Sequence, residues 1–129
     1  MLGQSKLHHV AIICSNYEVS KRFYTEVLGL SVLHEAYRAE RQSYKLDLSI
    51  GGHAQIELFS FPNPPARISR PEACGLRHLA FEVANVDEVK AHLQKNDVNT
   101  EEVRLDEFTG KRFFFFADPD GLPLEVYEF

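Results

Sequence analysis

LHHVAIICS (residues 7–15) and GLRHLAFEV (residues 75–83) each begin an apolar run with a histidine, His9 in the first stretch and His78 in the second. Alternating apolar and β-branched residues predict a β-strand in both stretches. An aliphatic side chain would be easier to bury at such a position than an imidazole. The repeated choice of histidine therefore indicates that two parts of the chain are built alike.

Two glutamates repeat together with the histidines. Glu57 lies in AQIELFSF and Glu125 in LPLEVYEF, and the histidine-to-glutamate interval is 48 residues in the first half and 47 in the second. Self-similarity at a fixed offset is typical of a duplicated unit. We therefore predict an α+β fold of two tandem βαβββ modules, residues about 7–61 and 76–129, that form a single domain spanning residues 1–129.

Each predicted module has one amphipathic helix after its first strand. YEVSKRFYTEVLGL follows the helix-capping residues Ser15 and Asn16 and ends near Gly29, and NVDEVKAHLQKN begins with the capping residue Asn85. The predicted apolar stripes are Val19, Phe23, Val27 and Leu28 in the first helix and Val86, Val89 and Leu93 in the second.

Three further strands complete each module. SVLHEAYR, SYKLDLSI and AQIELFSF are predicted in the first half, and VNTEEVRL, KRFFFFAD and LPLEVYEF in the second. The turns GGH and DPDG supply the residues that tight connections need. Residues 62–75 contain four of the six prolines and are predicted to link the halves without regular structure.

Composition narrows the class of partner. The chain has 129 residues, a formal net charge of -5 and 44% hydrophobic residues. Binding to nucleic acid or to an anionic membrane needs clustered basic residues, and the negative net charge disfavours such a surface. We therefore expect a small-molecule substrate, and neither nucleic acid nor a membrane as partner. The sequence shows no signal peptide and no membrane-spanning stretch, which predicts a cytoplasmic protein. Cys14 and Cys74 lack metal or redox spacing and are predicted to be buried, reduced thiols.

The paired residues suggest metal chemistry. Each of His9, Glu57, His78 and Glu125 alternates with an apolar strand face, so the four side chains can converge on the opposite face. Two imidazoles and two carboxylates form a ligand set for one divalent ion, with nickel, cobalt or zinc preferred and manganese or iron as alternatives. Strand alternation points His8 to the opposite face from His9, and the remaining histidines have no matched partner. All four are predicted to be structural or exposed: His8, His34, His53 and His92.

Two other features have alternative interpretations. FFFF, residues 113–116, predicts a strand with two rings facing inward and two outward, although rings on the metal side could line a pocket. Arg67, Arg70 and Arg77 are either solvated loop charges or a clamp for an anionic substrate group.

The sequence HVAIICSNYEVSKRFYTEVLGL (residues 9–30) resembles the glyoxalase I signature, in which a histidine-led strand precedes a small residue, Phe-Tyr and Leu-Gly-Leu. Ser20, Phe23 and Tyr24 match the middle of that pattern, and residues 28–30 match its end. IELF, LRHLAFEV and DPDGLPLEVYE resemble the other ligand-bearing strands. Nearly the whole chain is thus similar to the glyoxalase/bleomycin-resistance/dioxygenase group, also called the vicinal oxygen chelate superfamily.

The resemblance implies a cupped mixed sheet around one metal ion held by His9, Glu57, His78 and Glu125, commonly in a homodimer whose sites can draw ligands from both subunits. It also implies a lyase or isomerase of the lactoylglutathione lyase type, in which a base removes a proton next to a carbonyl and the metal stabilises the enediolate. By resemblance the catalytic base is Glu57 or Glu125.

The resemblance leaves the substrate open. Glyoxalases typically place an arginine for the glutathione carboxylate a few positions after the first metal histidine, and this chain has Ile13 there. The alternatives are another metal-dependent epimerase or isomerase of a small oxygenated metabolite, and a non-enzymatic binding protein of the bleomycin-resistance type. A thiol cofactor is left open, and no cofactor-binding residue is assigned beyond the metal ligands.

Overall fold

The same order of elements occurs twice along the chain. The computed structural model describes residues 1–129, which divide into two compact units, residues 1–66 and 67–129. The strands are β1 (His9–Cys14), β2 (Ser31–Arg38), β3 (Ser43–Ile50), β4 (Ala54–Ser60), β5 (Leu79–Val83), β6 (Arg104–Leu105), β7 (Arg112–Ala117) and β8 (Pro123–Glu128). The helices are α1 (Tyr17–Arg22), continued by a π-helical segment (Phe23–Val27), and α2 (Val86–Lys95); short 3-10 turns occupy Leu2–Gln4 and Ala39–Arg41.

Each unit contains one four-stranded mixed sheet. The strand order is β1-β4-β3-β2 in the first unit and β5-β8-β7-β6 in the second. In both sheets the first strand pairs in parallel with the last, while the other neighbours are antiparallel. The predicted α+β fold of two tandem βαβββ modules is therefore confirmed.

The sheet of the first unit packs its buried face against α1. Alternation along β3 and β4 buries Leu46, Leu48, Ile56 and Leu58 completely. Asn16 caps α1 by accepting a hydrogen bond from the backbone N–H of Val19, and Gly29 takes a positive φ of 73° where the helical segment ends. The buried face of the helix is formed by Tyr17, Ser20, Phe23 and Tyr24.

The predicted stripe of the first helix was wrong at Val19, which is 50% exposed. Tyr17 and Tyr24 occupy the buried face instead, so the true stripe is rotated toward the tyrosines. An aromatic ring buries more area than valine, and the Tyr17 hydroxyl has a hydrogen-bond partner in Glu35 that makes its burial acceptable. An apolar stripe drawn without tyrosines does not find this buried face.

The second unit follows the same plan with a longer helix. Asn85 caps α2 by accepting hydrogen bonds from the N–H groups of Asp87 and Glu88, and Val86 and Leu93 are buried against the sheet. Phe114 and Phe116 are buried while Phe113 and Phe115 are half-buried, as the alternation of FFFF predicts. No helix in the structure combines the length and the apolar character needed to cross a membrane.

Two segments differ from the predictions. VNTEEVRL forms only a two-residue strand, β6, because its run of polar residues offers little to bury. Cys74 is exposed, and only Cys14 is buried as predicted; both are free thiols. Cys74 lies in the proline-rich connection, which has no regular structure and therefore no core into which a thiol could pack.

We expect Asn85→Ala to lower the free energy of unfolding by about 1 kcal/mol, since two N–H groups at the start of α2 would lose their acceptor. Chemical denaturation followed by circular dichroism measures this change. Asn85→Asp keeps an acceptor at the same place and is the matched control. Equal stability of Asn85→Ala and the native chain would contradict the capping role.

A polar clamp joins α1 to β2. Tyr17 Oη donates a hydrogen bond to Glu35, and Lys21 Nζ lies 2.7 Å from the same carboxylate oxygen. Lys21 foremost, and then Tyr17, lowers the pKa of Glu35. Burial, followed by the hydrogen bond to Glu35, raises the pKa of Tyr17. The ionised carboxylate is therefore the form that holds the clamp together.

A folded-state pKa below the unfolded value of 4.5 means that Glu35 stabilises the fold above that pH and loses this contribution as the pH falls through the folded pKa. We expect Glu35→Gln to lower the free energy of unfolding at pH 7 by less than about 1 kcal/mol, because the pair is partly exposed. The difference in the free energy of unfolding between Glu35→Gln and the native chain should shrink when denaturation is repeated below pH 4.5. Glu26→Gln, which affects only an exposed pair with Arg22, is the control.

Candidate metal centre

The first unit brings His9 and Glu57 together. His9 is the first residue of β1 and Glu57 lies in the parallel neighbour β4. The imidazole Nε2 is 3.3 Å from the carboxylate Oε2. The glutamate side chain is 15% exposed and the histidine 41%, so the pair lies on the open face of the sheet, opposite the core.

The second unit repeats the arrangement with His78 and Glu125. His78 directly precedes β5, one residue outside the strand that the sequence predicted to contain it, and Glu125 lies in β8. Nε2 and Oε2 are 2.9 Å apart, and Glu125 is 12% exposed. The structure thus brings one of the predicted histidines together with one of the predicted glutamates in each unit.

The register of the parallel strands explains why the two pairs match. Glu57 lies opposite Ala11 in the first unit, and Glu125 lies opposite Ala80 in the second. Both alanines are two residues after the histidine, so the histidine and the glutamate are diagonal neighbours on one face. A methyl side chain between them leaves the imidazole room to lean toward the carboxylate.

Charged side chains surround the pair in the first unit. Lys45 Nζ is 3.2 Å from Glu57 Oε1 and 2.8 Å from Asp47 Oδ1. The hydrogen bond to Asp47, followed by the one to Glu57, raises the pKa of Lys45 against the opposing effect of burial. Glu57 is therefore held on one side by His9 and on the other by an ammonium group.

Aromatic rings surround the pair in the second unit. Phe115 lies directly opposite Glu125 across β7 and β8, and its ring contacts His78 edge-on at a centroid distance of 5.0 Å. Phe113 and Tyr127 continue this face as a stacked pair. At the positions where the first unit carries Asp47 and Lys45 beside its glutamate, the second unit carries Phe115 and Phe113.

His8 contacts His9, although strand alternation predicted that it would point to the opposite face. Its Nδ1 is 2.8 Å from Nδ1 of His9, so one ring donates a hydrogen bond to the other and leaves Nε2 of His9 facing Glu57. His34, His53 and His92 are exposed, as predicted. Within residues 1–129 no three or more His, Cys, Asp or Glu side chains form a group that could hold a metal ion.

The sequence contained a signal for Lys45 and Asp47 that our prediction did not use. KLDL alternates polar and apolar residues, and the GGH turn pairs this strand with the one that carries Glu57. Following that hairpin register places Asp47 opposite Glu57. Phe115 could be predicted to face the metal side only as one of two alternatives for the FFFF run. Strand alternation placed His8 on the face opposite His9 and so gave no indication of their contact.

Comparison with known proteins agrees with this arrangement. The sequence pattern of the Glyoxalase/Bleomycin resistance protein/Dioxygenase superfamily matches residues 6–126. The uncharacterized proteins YwkD of Bacillus subtilis and YaeR of Escherichia coli are 60% and 57% identical to the chain, over 95% and 99% of both partners. A solved structure of a glyoxalase family protein from Enterococcus faecalis is 51% identical and superposes with a TM-score of 0.90, covering 98% of this chain and 99% of that one.

More distant matches have named activities. A 2-epi-5-epi-valiolone epimerase of Actinomyces is 27% identical over 96% of this chain and 79% of its own length. A solved structure of the glyoxalase I of Leishmania major is 29% identical with a TM-score of 0.76, covering 97% of this chain and 87% of that one. The superfamily pattern spans nearly the whole sequence and includes all four paired residues, so the chain belongs to the glyoxalase/bleomycin resistance protein/dioxygenase superfamily.

Proposed function

We propose that His9, Glu57, His78 and Glu125 together hold one divalent metal ion, either within one chain or across the two copies of a homodimer, and that residues 1–129 act as one functional domain. The observation that carries the proposal is the identical register of the two His–Glu pairs. Unrelated surface residues have no reason to share both chemistry and register in two units. Members of the superfamily are often metal-dependent enzymes.

The donor atoms suit a metal ion. Ligand nitrogens and oxygens lie about 2.1 Å from a first-row metal, so two neighbouring ligands at roughly a right angle are about 3 Å apart. The Nε2–Oε2 separations of 3.3 and 2.9 Å fit that requirement. The His8 contact also engages Nδ1 of His9, as expected of an imidazole that presents Nε2 to a metal. Nickel, cobalt and zinc suit the set, as do manganese and iron.

The chemistry that this site supports best is removal of a proton next to a carbonyl in a small oxygenated substrate, as in a lyase or isomerase of the glyoxalase I type. A bound divalent ion would act as a Lewis acid toward the oxygens of the substrate and lower the energy of the negative charge that develops on them. A carboxylate of the chain accepts the proton from carbon and returns it to the neighbouring carbon.

We assign the base role to Glu125. Glu57 is held by Lys45 at 3.2 Å as well as by His9, so its carboxylate would lose two polar contacts on turning toward a substrate carbon. Glu125 has the aromatic ring of Phe115 opposite it where Glu57 has Asp47. The Glu125 carboxylate, which has no lysine partner, gives up fewer contacts when it turns from His78 toward a substrate carbon.

The residue at position 13, in β1, bears on whether the reaction uses glutathione. Ile13 is 54% exposed and shares a strand face with His9, so β1 offers no cation for a glutathione carboxylate there. This observation favours a second candidate, an epimerase of a small oxygenated metabolite that needs no thiol. The similarity to the Actinomyces epimerase supports the same alternative.

We expect purified protein to carry about one divalent ion per site by elemental analysis, and His78→Ala to lose most of it. Removing an imidazole removes one of four donors and leaves the half-buried Glu125 carboxylate without its partner. His53→Gln is the matched control because His53 is exposed in the turn before β4. Equal metal content in His78→Ala and the control would contradict the site.

We expect Glu125→Gln to reduce turnover about 100-fold or more while metal content falls less, because an amide can still ligate but cannot accept the proton. Glu57→Gln should reduce turnover less. Hemithioacetals of methylglyoxal with several thiols test the lyase reaction, with each metal supplied in turn. Exchange of the substrate α-proton with solvent deuterium, followed by NMR, tests the epimerase reaction.

A loaded protein that exchanges no proton in any arm, yet binds these compounds, would contradict an enzyme and favour a binding protein of the bleomycin-resistance type. A larger loss in Glu57→Gln than in Glu125→Gln would reverse the assignment of the base.

A further inference from the structure

A cavity of about 540 Å³ lies in the second unit, with residues of β6 and β7 in its wall. Its size is within the range of small-molecule sites. Phe115 lines the cavity and also contacts the His78 ring, so the two features share a wall. The remaining wall comes from the end of the proline-rich connection, the segment before β6, and the turn between β7 and β8.

Three arginines line this cavity in a chain whose net charge is -5. They are Arg70, Arg77 and Arg104, and Glu101 is the one carboxylate among the lining residues. Ser69, Asn99 and Thr100 add neutral hydrogen-bonding groups. A concave surface that collects positive charge in an acidic protein concentrates the field where an anion would bind.

The three guanidinium groups differ in how well the chain satisfies them. Arg70 is 3.0 Å from Glu72, and Arg104 is 3.1 Å from Glu101 and lies over the rings of Phe113 and Phe115. Arg77 has only a contact of 3.8 Å to Glu72, and its Nη1 is buried without a hydrogen-bond partner. A buried donor without an acceptor destabilises the fold unless another molecule supplies the acceptor.

Arg67, which precedes Arg70 in the proline-rich connection, has a different role. Arg67 donates hydrogen bonds to the carbonyl oxygens of Leu76 and Arg77 and to Ser69 Oγ, and it does not line the cavity. Ser69 Oγ in turn donates to the carbonyl of Gly121. Arg67 therefore holds the loop that carries Arg70 and Arg77 in place. Its role is structural, whereas Arg70 and Arg77 line the cavity.

We propose that this arginine cavity binds the anionic group of the substrate, a carboxylate or a phosphate, while the reacting carbonyl lies at the His–Glu site on the other side of the Phe115 ring. The inference deepens the proposed function and rests on it for the reaction. Guanidinium forks match the oxygens of both anions, and neutral donors at the rim complete their coordination. The substrate class is thus an acidic oxygenated metabolite rather than a neutral aldehyde.

The test measures anion binding without turnover. Protein treated with a chelator and desalted is titrated with D-lactate, inorganic phosphate and lactamide, and the arginine Nε–Hε and backbone amide signals are followed by ¹⁵N NMR. Lactamide has the shape of lactate without its charge. We expect lactate or phosphate to shift the signals of Arg77, Arg104 and Thr100, and lactamide to leave them unchanged. A response to only one anion identifies the charged group of the substrate.

Arg77→Gln should weaken the binding roughly tenfold or more, because it removes the least satisfied guanidinium. Arg104→Gln, which alters a more exposed side chain, should weaken it as well and is the second variant if Arg77→Gln unfolds. Arg22→Gln is the matched control because Arg22 is 77% exposed and paired only on α1. Equal shifts with lactate and lactamide, or unchanged affinity in both variants, would overturn the proposal.

Elemental analysis of the same preparations separates the two proposals. Anion binding in protein that never takes up metal would leave the cavity assignment in place and refute the metal site. Metal uptake without anion binding would do the reverse.

Discussion

The parallel pairing of the first and last strand in each unit is the constraint on which the rest of the structure depends. Backbone hydrogen bonds between β1 and β4 set Ala11 opposite Glu57, and those between β5 and β8 set Ala80 opposite Glu125. Because side chains alternate between faces, this register puts each histidine diagonal to its glutamate on the open face and leaves the aliphatic neighbours to the core. A slip of one residue would send the carboxylates into the packed layer beneath the helix.

The two units keep this frame but have diverged around it. In the first unit, lysine and aspartate stand beside the glutamate on the open face; in the second, two phenylalanines do. The buried faces are similar, with aliphatic and aromatic side chains packed under one capped helix. The cores of the two units are thus alike, whereas their open faces carry different types of residue. The polar half and the aromatic half thus offer different chemistry to the same kind of His–Glu pair.

Much of this could be predicted from the sequence because local patterns were strong. Strands β2 and β3 have the predicted bounds, since alternation, turn glycines and flanking polar residues agree there. The helix caps at Asn16 and Asn85 were identifiable because an asparagine directly precedes an amphipathic run. The pairing of histidine and glutamate followed from the repeat and the strand period.

The rest depended on contacts between distant segments. Val19 belongs to the predicted apolar stripe, but Tyr17 and Tyr24 fill the buried face. Tyr17 stacks on the ring of Tyr44 in β3 and donates a hydrogen bond to Glu35 in β2, contacts that valine cannot make. The role of Lys45 required the hairpin register, and the difference between Arg67 and Arg77 required the path of an irregular loop. Short-range patterns do not encode which of three arginines meets backbone carbonyls and which faces a cavity.

The position of β1 has a consequence for how the chain folds. The other strands of its sheet, β2, β3 and β4, are joined by short connections, whereas β1 must pair with β4, about 40 residues further along the chain. Long-range closure of this kind is slow. The hairpins can therefore form before β1 docks against their free edge, and the same order holds for β5 in the second unit. Each histidine can contact its glutamate only after this strand has docked. The distance within each His–Glu pair therefore reports whether the module has finished folding.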